Sequence, residues 1–280
     1  MRQVVCRHIL YWVEENLYTG KNIADLALSC GYTRRTLELW FSATHGISPG
    51  QYLFKRRMTR AAVLLRLSSL SVTEISTLLN HSNNQNFSRA FKRFSGKSPT
   101  EYRNSKDWDL SVVQASLYYK VEVDTNISVC YLPERYLKGD LYLCHDSYLY
   151  NEKNTLIQKI KEGVEKLIIS GTKDVYLKGV TSIPDSLKKN REGRLDATII
   201  LGEIVDNVEQ STALMPGGKF CRYFFQCSWD DYYYNTNHFF IQMMSENKFR
   251  FTGDECYVHY TGDKKTISND VSCEVFISVK

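Results

Sequence analysis

The sequence predicts an α+β protein in two parts: an N-terminal all-α domain with two helix-turn-helix units, and a C-terminal α+β domain in which a strand-helix-strand-strand plan occurs twice. Three observations lead there. Up to about residue 103 the apolar residues recur at helical spacing, whereas from Ser116 onward β-branched and aromatic runs replace them. The charge divides at the same place: residues 1–107 hold 16 Lys/Arg against 7 Asp/Glu, a balance of +9, and the rest of the 280 residues hold 20 against 24, a balance of −4. Between the two lies a polar stretch, Asn104-Ser105-Lys106-Asp107, with Trp108 behind it, which reads as a linker. The expected domains are therefore 1–107 and 116–280.

With 43% apolar and 24% charged residues, the chain can bury two cores and is not disordered. Its most apolar early stretch, Val4 to Val13, is interrupted by Arg7 and His8, and nowhere do about 18 uncharged apolar residues run together. Neither a signal peptide nor a membrane span is expected, so the reading is cytoplasmic. The eight cysteines are scattered, the closest pair being Cys221 and Cys227, which favours reduced thiols over a disulfide framework. The six histidines do not fall at ligand spacing with them, so neither metal nor cofactor is expected.

The helical domain can be read element by element. Val5, Ile9, Trp12 and Val13 share one helix face; Asn22 then caps a short helix through Leu26, Ala27 and Cys30 that stops at Gly31. Thr33 caps a second helix whose buried stripe is Leu37 and Phe41, leaving Arg34, Arg35, Thr36 and Glu38 outward. Ser48-Pro49 opens a long helix with no breaker until about Ser68, roughly 30 Å at 1.5 Å per residue. Ser71 and Glu74 form a capping box for a short helix, the chain turns at Asn80 to Asn83, and a further helix follows. Its core stripe is Phe87, Ala90, Phe91 and Phe94, with Asn84, Gln85, Ser88, Arg89, Lys92 and Arg93 off that stripe. A basic-faced second helix occurs twice, held apart by a rod one DNA turn long. That geometry suits two successive major grooves of duplex DNA, and the clustered positive charge suits a polyanion.

The run from Gly31 to Phe41, and more specifically Asn86-Phe87-Ser88-Arg89-Ala90-Phe91-Lys92-Arg93-Phe94 with Gly96, Ser98-Pro99 and Tyr102-Arg103, resembles the AraC/XylS family of transcription regulators over about residues 4–105. The domain order is similar to the Rob-type subgroup. The resemblance implies a DNA-binding activator that touches RNA polymerase, with first-helix base-reading positions at Arg35, Glu38 and Leu39. Rob-like proteins carry tryptophan, glutamine and arginine there, so Leu39 cannot make the arginine contact to guanine and the same operator is not expected. Arg34 or Arg35 is the available replacement, and Glu38 can accept from cytosine. In the second helix the base-facing positions are Asn84, Gln85, Ser88 and Arg89, with Lys92 and Arg93 as phosphate contacts. The family's glycine before this helix is Asn80 here, and asparagine tolerates a left-handed turn. Two reading helices per chain make a monomer sufficient.

In the second domain, strands are expected at Leu117–Val123, Ile127–Leu132 and Leu141–Leu149, and a helix at Glu152–Ile169. Strands Val175–Ser182 and Leu195–Glu203 complete the first copy. Lys219–Cys227, a helix over 230–246, Cys256–Tyr260 and Val271–Val279 form the second. In order this resembles the GyrI-like ligand-binding domain, which implies an aromatic cleft for bulky apolar or cationic compounds around a buried glutamate. That glutamate falls on Glu255, with Tyr223, Phe225, Trp229, Tyr232 and Tyr257 as the aromatic candidates and Glu274, beside Phe276, as a weaker acidic one. Two other readings stay open: a second domain that makes protein contacts only, and a small-molecule hydrolase, as some GyrI-like domains are. No Ser/His/Asp grouping supports an enzyme, and Gly96-Lys97-Ser98 lacks the earlier glycine of a phosphate loop.

Overall fold

A computed structural model describes residues 1–68, 70–105, 108–118, 127–147, 155–180, 194–232, 235–236, 250–262, 264 and 267–280. These form two compact units, the first holding Met1–Ser105 and the segment from Leu110 to residue 118, the second Trp108–Asp109 and the described residues from 127 onward.

The first unit is seven helices: α1 (Arg2–Glu15), α2 (Ile23–Cys30), α3 (Arg34–His45), α4 (Pro49–Leu67), α5 (Val72–Leu78), α6 (Asn84–Ser95) and α7 (Pro99–Asn104). Local chemistry sets their boundaries. Asn22, Ser48, Ser71 and Ser98 each close a capping box with Asp25, Gln51, Glu74 and Glu101, and Thr33 and Asn83 cap α3 and α6 through side-chain oxygens. Leu37 and Phe87, Phe41 and Phe91, Gly46 and Gly96, Ser48-Pro49 and Ser98-Pro99, Tyr52 and Tyr102 all stand 50 positions apart (96 − 46 = 50). The two glycines end α3 and α6 in the left-handed region, at φ 73° and 77°. In the second turn Asn80 takes the left-handed conformation expected of it, at φ 57°, and its amide donates to the Tyr18 carbonyl of the first helix pair.

Much of the domain's positive charge is internal. Arg57 donates to the carbonyls of Asn16, Leu17 and Lys21, Arg66 to those of Arg103 and Ser105, and Arg103 to those of Leu65 and Leu70. Arg56 meets Glu14 at 2.8 Å with both side chains under 10% exposed. The Tyr52 and Ser116 hydroxyls donate to the same carboxylate, Arg56 donates to the Gln114 carbonyl, and the Leu117 amide donates to Tyr52. These bonds hold the segment after residue 110 on α1 and α4. Leu117 and Tyr118 therefore pack on the helical core, where the sequence predicts the start of a strand; the rest of that predicted strand lies outside the described residues.

The second unit holds β1 (Trp108–Asp109), β2 (Ser128–Leu132), β3 (Arg135–Ser147), α8 (Thr155–Ser170), β4 (Asp174–Val180), β5 (Arg194–Val205), β6 (Ala213–Met215), β7 (Gly218–Ser228), β8 (Arg250–Thr261) and β9 (Asp270–Val279). Among the described residues they form one antiparallel sheet in the order β2-β7-β9-β8-β4-β5-β3-β6, with β1 beside β8. The triplets β7-β9-β8 and β4-β5-β3 meet at β8 and β4, each running first strand, third, second toward the junction, an arrangement compatible with the strand-helix-strand-strand plan expected twice. The first copy's helix is α8. In the second, residues 229–232 are helical and nearly all the rest of the predicted 230–246 helix lies outside the described residues.

Register separates the sheet's faces. Leu201, Leu177, Val258, Val275 and Tyr223 lie on the face that α8 covers, since a Cβ on Gly163 of that helix would meet the Leu201 side chain. On the opposite face Lys178, Tyr257, Phe276 and Arg222 form one cross-strand row, and Tyr176, His259, Glu274 and Phe224 the next. β3 begins at Arg135 rather than Leu141 because Gly139, which reads as a breaker, sits opposite Gly202, where a side chain would strike the partner backbone.

Candidate nucleic-acid interface

On α3 the buried Leu37 and Phe41 face the core. At 100° per residue, positions two away point outward, which places Arg35 and Leu39 on the solvent side. On α6, Phe87 and Phe91 are buried and Gln85 and Arg89 hold the same outward positions. The 50-residue repeat thus sets Arg35 against Gln85 and Leu39 against Arg89 on two equivalent scaffolds.

Each predicted reading residue has a definite state. Arg34 is tied to Glu38 at 2.8 Å, a pairing four apart on the helix that neutralises the carboxylate. Thr33 caps the Thr36 amide at 3.1 Å, and their hydroxyls bond to each other at 2.8 Å. Asn84 donates to the Thr73 hydroxyl at 2.6 Å, and Ser88 is half-buried. The Arg93 guanidinium lies 5.3 Å from the Phe54 ring of α4, while its flank stays exposed. Arg35, Gln85, Arg89 and Lys92 are exposed and make no hydrogen bond or ion pair among the described residues. The α6 surface thus offers an amide and three cations, with Glu101 of α7 near enough to feel the Lys92 charge.

A family model described as a helix-turn-helix domain matches residues 26–105. The chain is 35% identical to the HTH-type regulator YkgA of Escherichia coli K12 over 142 residues, 51% of this chain and 59% of that protein. It is 27% identical to the F1 operon positive regulatory protein of Yersinia pestis over 284 aligned positions, covering 100% of this chain and 89% of the relative. The HTH-type transcriptional activator AarP of Providencia stuartii is 34% identical over 101 residues, 36% of this chain and 75% of AarP. The chain belongs to the AraC family of transcriptional regulators. It spans about three fifths of YkgA's length, 59%. These relatives bear the names of regulators and not of enzymes.

In this AraC-family chain the acidic and aromatic candidates of the second unit separate. Tyr223, Phe225, Trp229 and Tyr232 pack with one another and with Tyr260 on the α8 side; Trp229 donates its indole N–H to the Ile267 carbonyl, and the Tyr232 and Tyr260 hydroxyls bond to each other. Burial pushes the phenols of Tyr223, Tyr232 and Tyr260 well above their usual range. Glu255 and Tyr257 lie on the opposite face, where Leu137, Ile200, Met215, Phe220 and Phe276 form an apolar cluster around Tyr257. A shallow pocket opens there between Leu132, Pro133, Arg135, Tyr176 and Tyr257. The sequence reading missed Lys178, whose ammonium lies 3.1 Å from Glu255 with both side chains under 20% exposed. It also missed His259, set between Asp174 at 2.9 Å and Glu274 at 3.5 Å and stacked on Tyr176 at 4.4 Å. Glu274 in turn pairs with Arg222; burial raises its pKa, but Arg222 and His259 outweigh that and hold the carboxyl below its ordinary value. A lone lysine in the apolar run of β4 was the available signal for Lys178. Among the described residues no group of three or more His, Cys, Asp or Glu is placed to hold a metal, and no helix is long and apolar enough to cross a membrane.

Proposed function

We propose that the chain is a sequence-specific transcription activator that binds promoter DNA as a double helix-turn-helix reader. α3 and α6 enter successive major-groove segments, with Arg35 and Leu39 on one and Gln85, Arg89 and Lys92 on the other. The carrying observation is the repeat itself: two capped helices, 50 positions apart, each turn the residues at two equivalent positions away from the core. Asn84, Ser88, Arg34, Glu38, Thr33 and Thr36 serve chiefly to hold those surfaces, and Arg93 adds phosphate contact. The name of the F1 relative, which aligns along this whole chain, supports positive regulation; contact with RNA polymerase belongs to the same proposal. Genome-wide binding of the tagged protein tests this. Discrete promoter-proximal peaks are expected, and Arg89→Ala should weaken specific binding by about 1–3 kcal/mol; undiminished binding by the variant removes Arg89 from the interface.

The second unit we read as a GyrI-like effector domain whose ligand sits on the sheet face opposite α8, against Tyr257, Tyr176 and Met215. Lys178 already neutralises Glu255, so an apolar compound fits this face better than a cation, which would have to displace the lysine. Melting of the full chain with a lipophilic cation and with its neutral isostere separates the two, and a shift with neither favours a unit that makes protein contacts only.

A further inference from the structure

α3 presents a surface unlike that of α6. Leu39 is 67% exposed on the side of the helix opposite the buried Leu37 and Phe41, in line with Arg35 one turn earlier. The carboxylate between them in sequence, Glu38, bonds Arg34 through one oxygen at 2.8 Å, so its charge is offset while its second oxygen stays open to a donor. Along the line of Arg35 and Leu39, α3 thus offers the groove one guanidinium and one isobutyl group. An isobutyl group neither donates nor accepts, and in the major groove the apolar feature that distinguishes one base from the others is the thymine C5-methyl. Arg35 has the fork geometry for guanine O6 and N7.

We infer that Leu39 is a specificity-determining residue that reads a thymine methyl, with Arg35 reading a guanine within about two base-pair steps of it, as their separation of about 6 Å along the helix sets. This rests on the DNA-reading function proposed above. It gives the α3 half-site an apolar component that the second half-site, facing Arg89 at the equivalent position, lacks.

The test uses the full chain and synthetic duplexes. Binding sites are selected from a random pool with the wild type; the half read by α3 is the one whose preference relaxes in Arg35→Ala. Each thymine of the selected site is then replaced by uracil, which removes only the methyl. One thymine in the α3 half should show about four-fold weaker binding as uracil, the effect of burying one methyl-sized group, and no such loss in Leu39→Ala. Selection with Leu39→Arg should replace the thymine preference at that position by guanine. A clear consensus without a uracil-sensitive thymine coupled to Leu39 overturns the inference and leaves the DNA-reading function standing. No consensus at all overturns both.

Discussion

At positions 41 and 91 a phenylalanine is fully buried, at 46 and 96 a glycine turns the chain left-handed, and at 48 and 98 a serine caps the next helix ahead of a proline. At the outward positions the two helix-turn-helix motifs part. Ser42 and Ala43 stand where the second motif has Lys92 and Arg93, Leu39 stands where it has Arg89, and Glu38 where it has Ser88. Residues that face the core or set a dihedral are shared because their physical task is the same in both places. Outward residues carry little folding energy, so each helix is free to meet a different stretch of DNA. The second helix-turn-helix concentrates exposed cations; the first carries a Glu38 paired with Arg34 and an exposed Leu39, the difference on which the proposed reading of sequence rests.

If the scaffolds are equivalent, Phe41→Ala and Phe91→Ala should each destabilise the helical unit by about 3–5 kcal/mol in urea unfolding followed by helical circular dichroism. A value for one below half that of the other would break the comparison at its base. The functional asymmetry is read from salt dependence. Replacing Arg89 and Lys92 together by alanine should flatten the slope of log K against log salt by about 2, whereas Arg35→Ala flattens it by no more than about 1. Ser42→Lys, which gives α3 the cation its counterpart has, should steepen it by about 1. Equal slopes from the two helices would mean that charge is not what separates them.

The same comparison shows what could be read ahead of the structure. The caps Asn22, Thr33, Ser48 and Ser71 and the stripes around Phe41 and Phe91 are local, so the helices were accessible from spacing alone. Arg56, Arg57, Arg66 and Arg103 look like polyanion ligands in sequence, and only tertiary structure reveals that they bond to Glu14 and to backbone carbonyls. Asn84 bonds to Thr73 for the same reason, a contact across two helices. In the sheet, strand positions followed from β-branched runs, but which face each residue occupies depends on where α8 packs. Tyr223 and Phe225 therefore joined Tyr257 as candidates although they point the other way. β6 was missed because three residues carry no period, and the true start of β3 because Arg135, Lys138, Gly139 and Asp140 look like a loop when only one side of the strand is buried.

Gly46→Ala and Gly96→Ala test the shared turns at finer scale. A Cβ at either position meets nothing within 4 Å, so the loss is purely the left-handed backbone, about 1–2 kcal/mol in each case. Equal losses in chemical denaturation are expected. Asn80 should behave differently from both: Asn80→Ala removes a residue suited to φ 57° and also the amide bond to Tyr18, so it should cost more than either glycine variant.

The smallest effect concerns protons. Each helix-turn-helix motif keeps a partly buried histidine, His45 at the end of α3 and His81 in the turn before α6, and each has its pKa lowered from 6.5, His45 by burial and His81 by burial and then by the Arg57 charge. A depressed folded-state pKa means that the unfolded chain takes up the proton first. Above about pH 6.5 both imidazoles are neutral in either state and stability is complete; as pH falls below that, it is lost until the folded-state values are passed. The melting temperature of the full chain should therefore fall between pH 7 and pH 5, and the fall should shrink in His45→Gln and in His81→Gln. An unchanged pH dependence in both would mean that neither imidazole sets the fall; Glu274, whose folded-state value lies below the ordinary 4.5, contributes only at still lower pH.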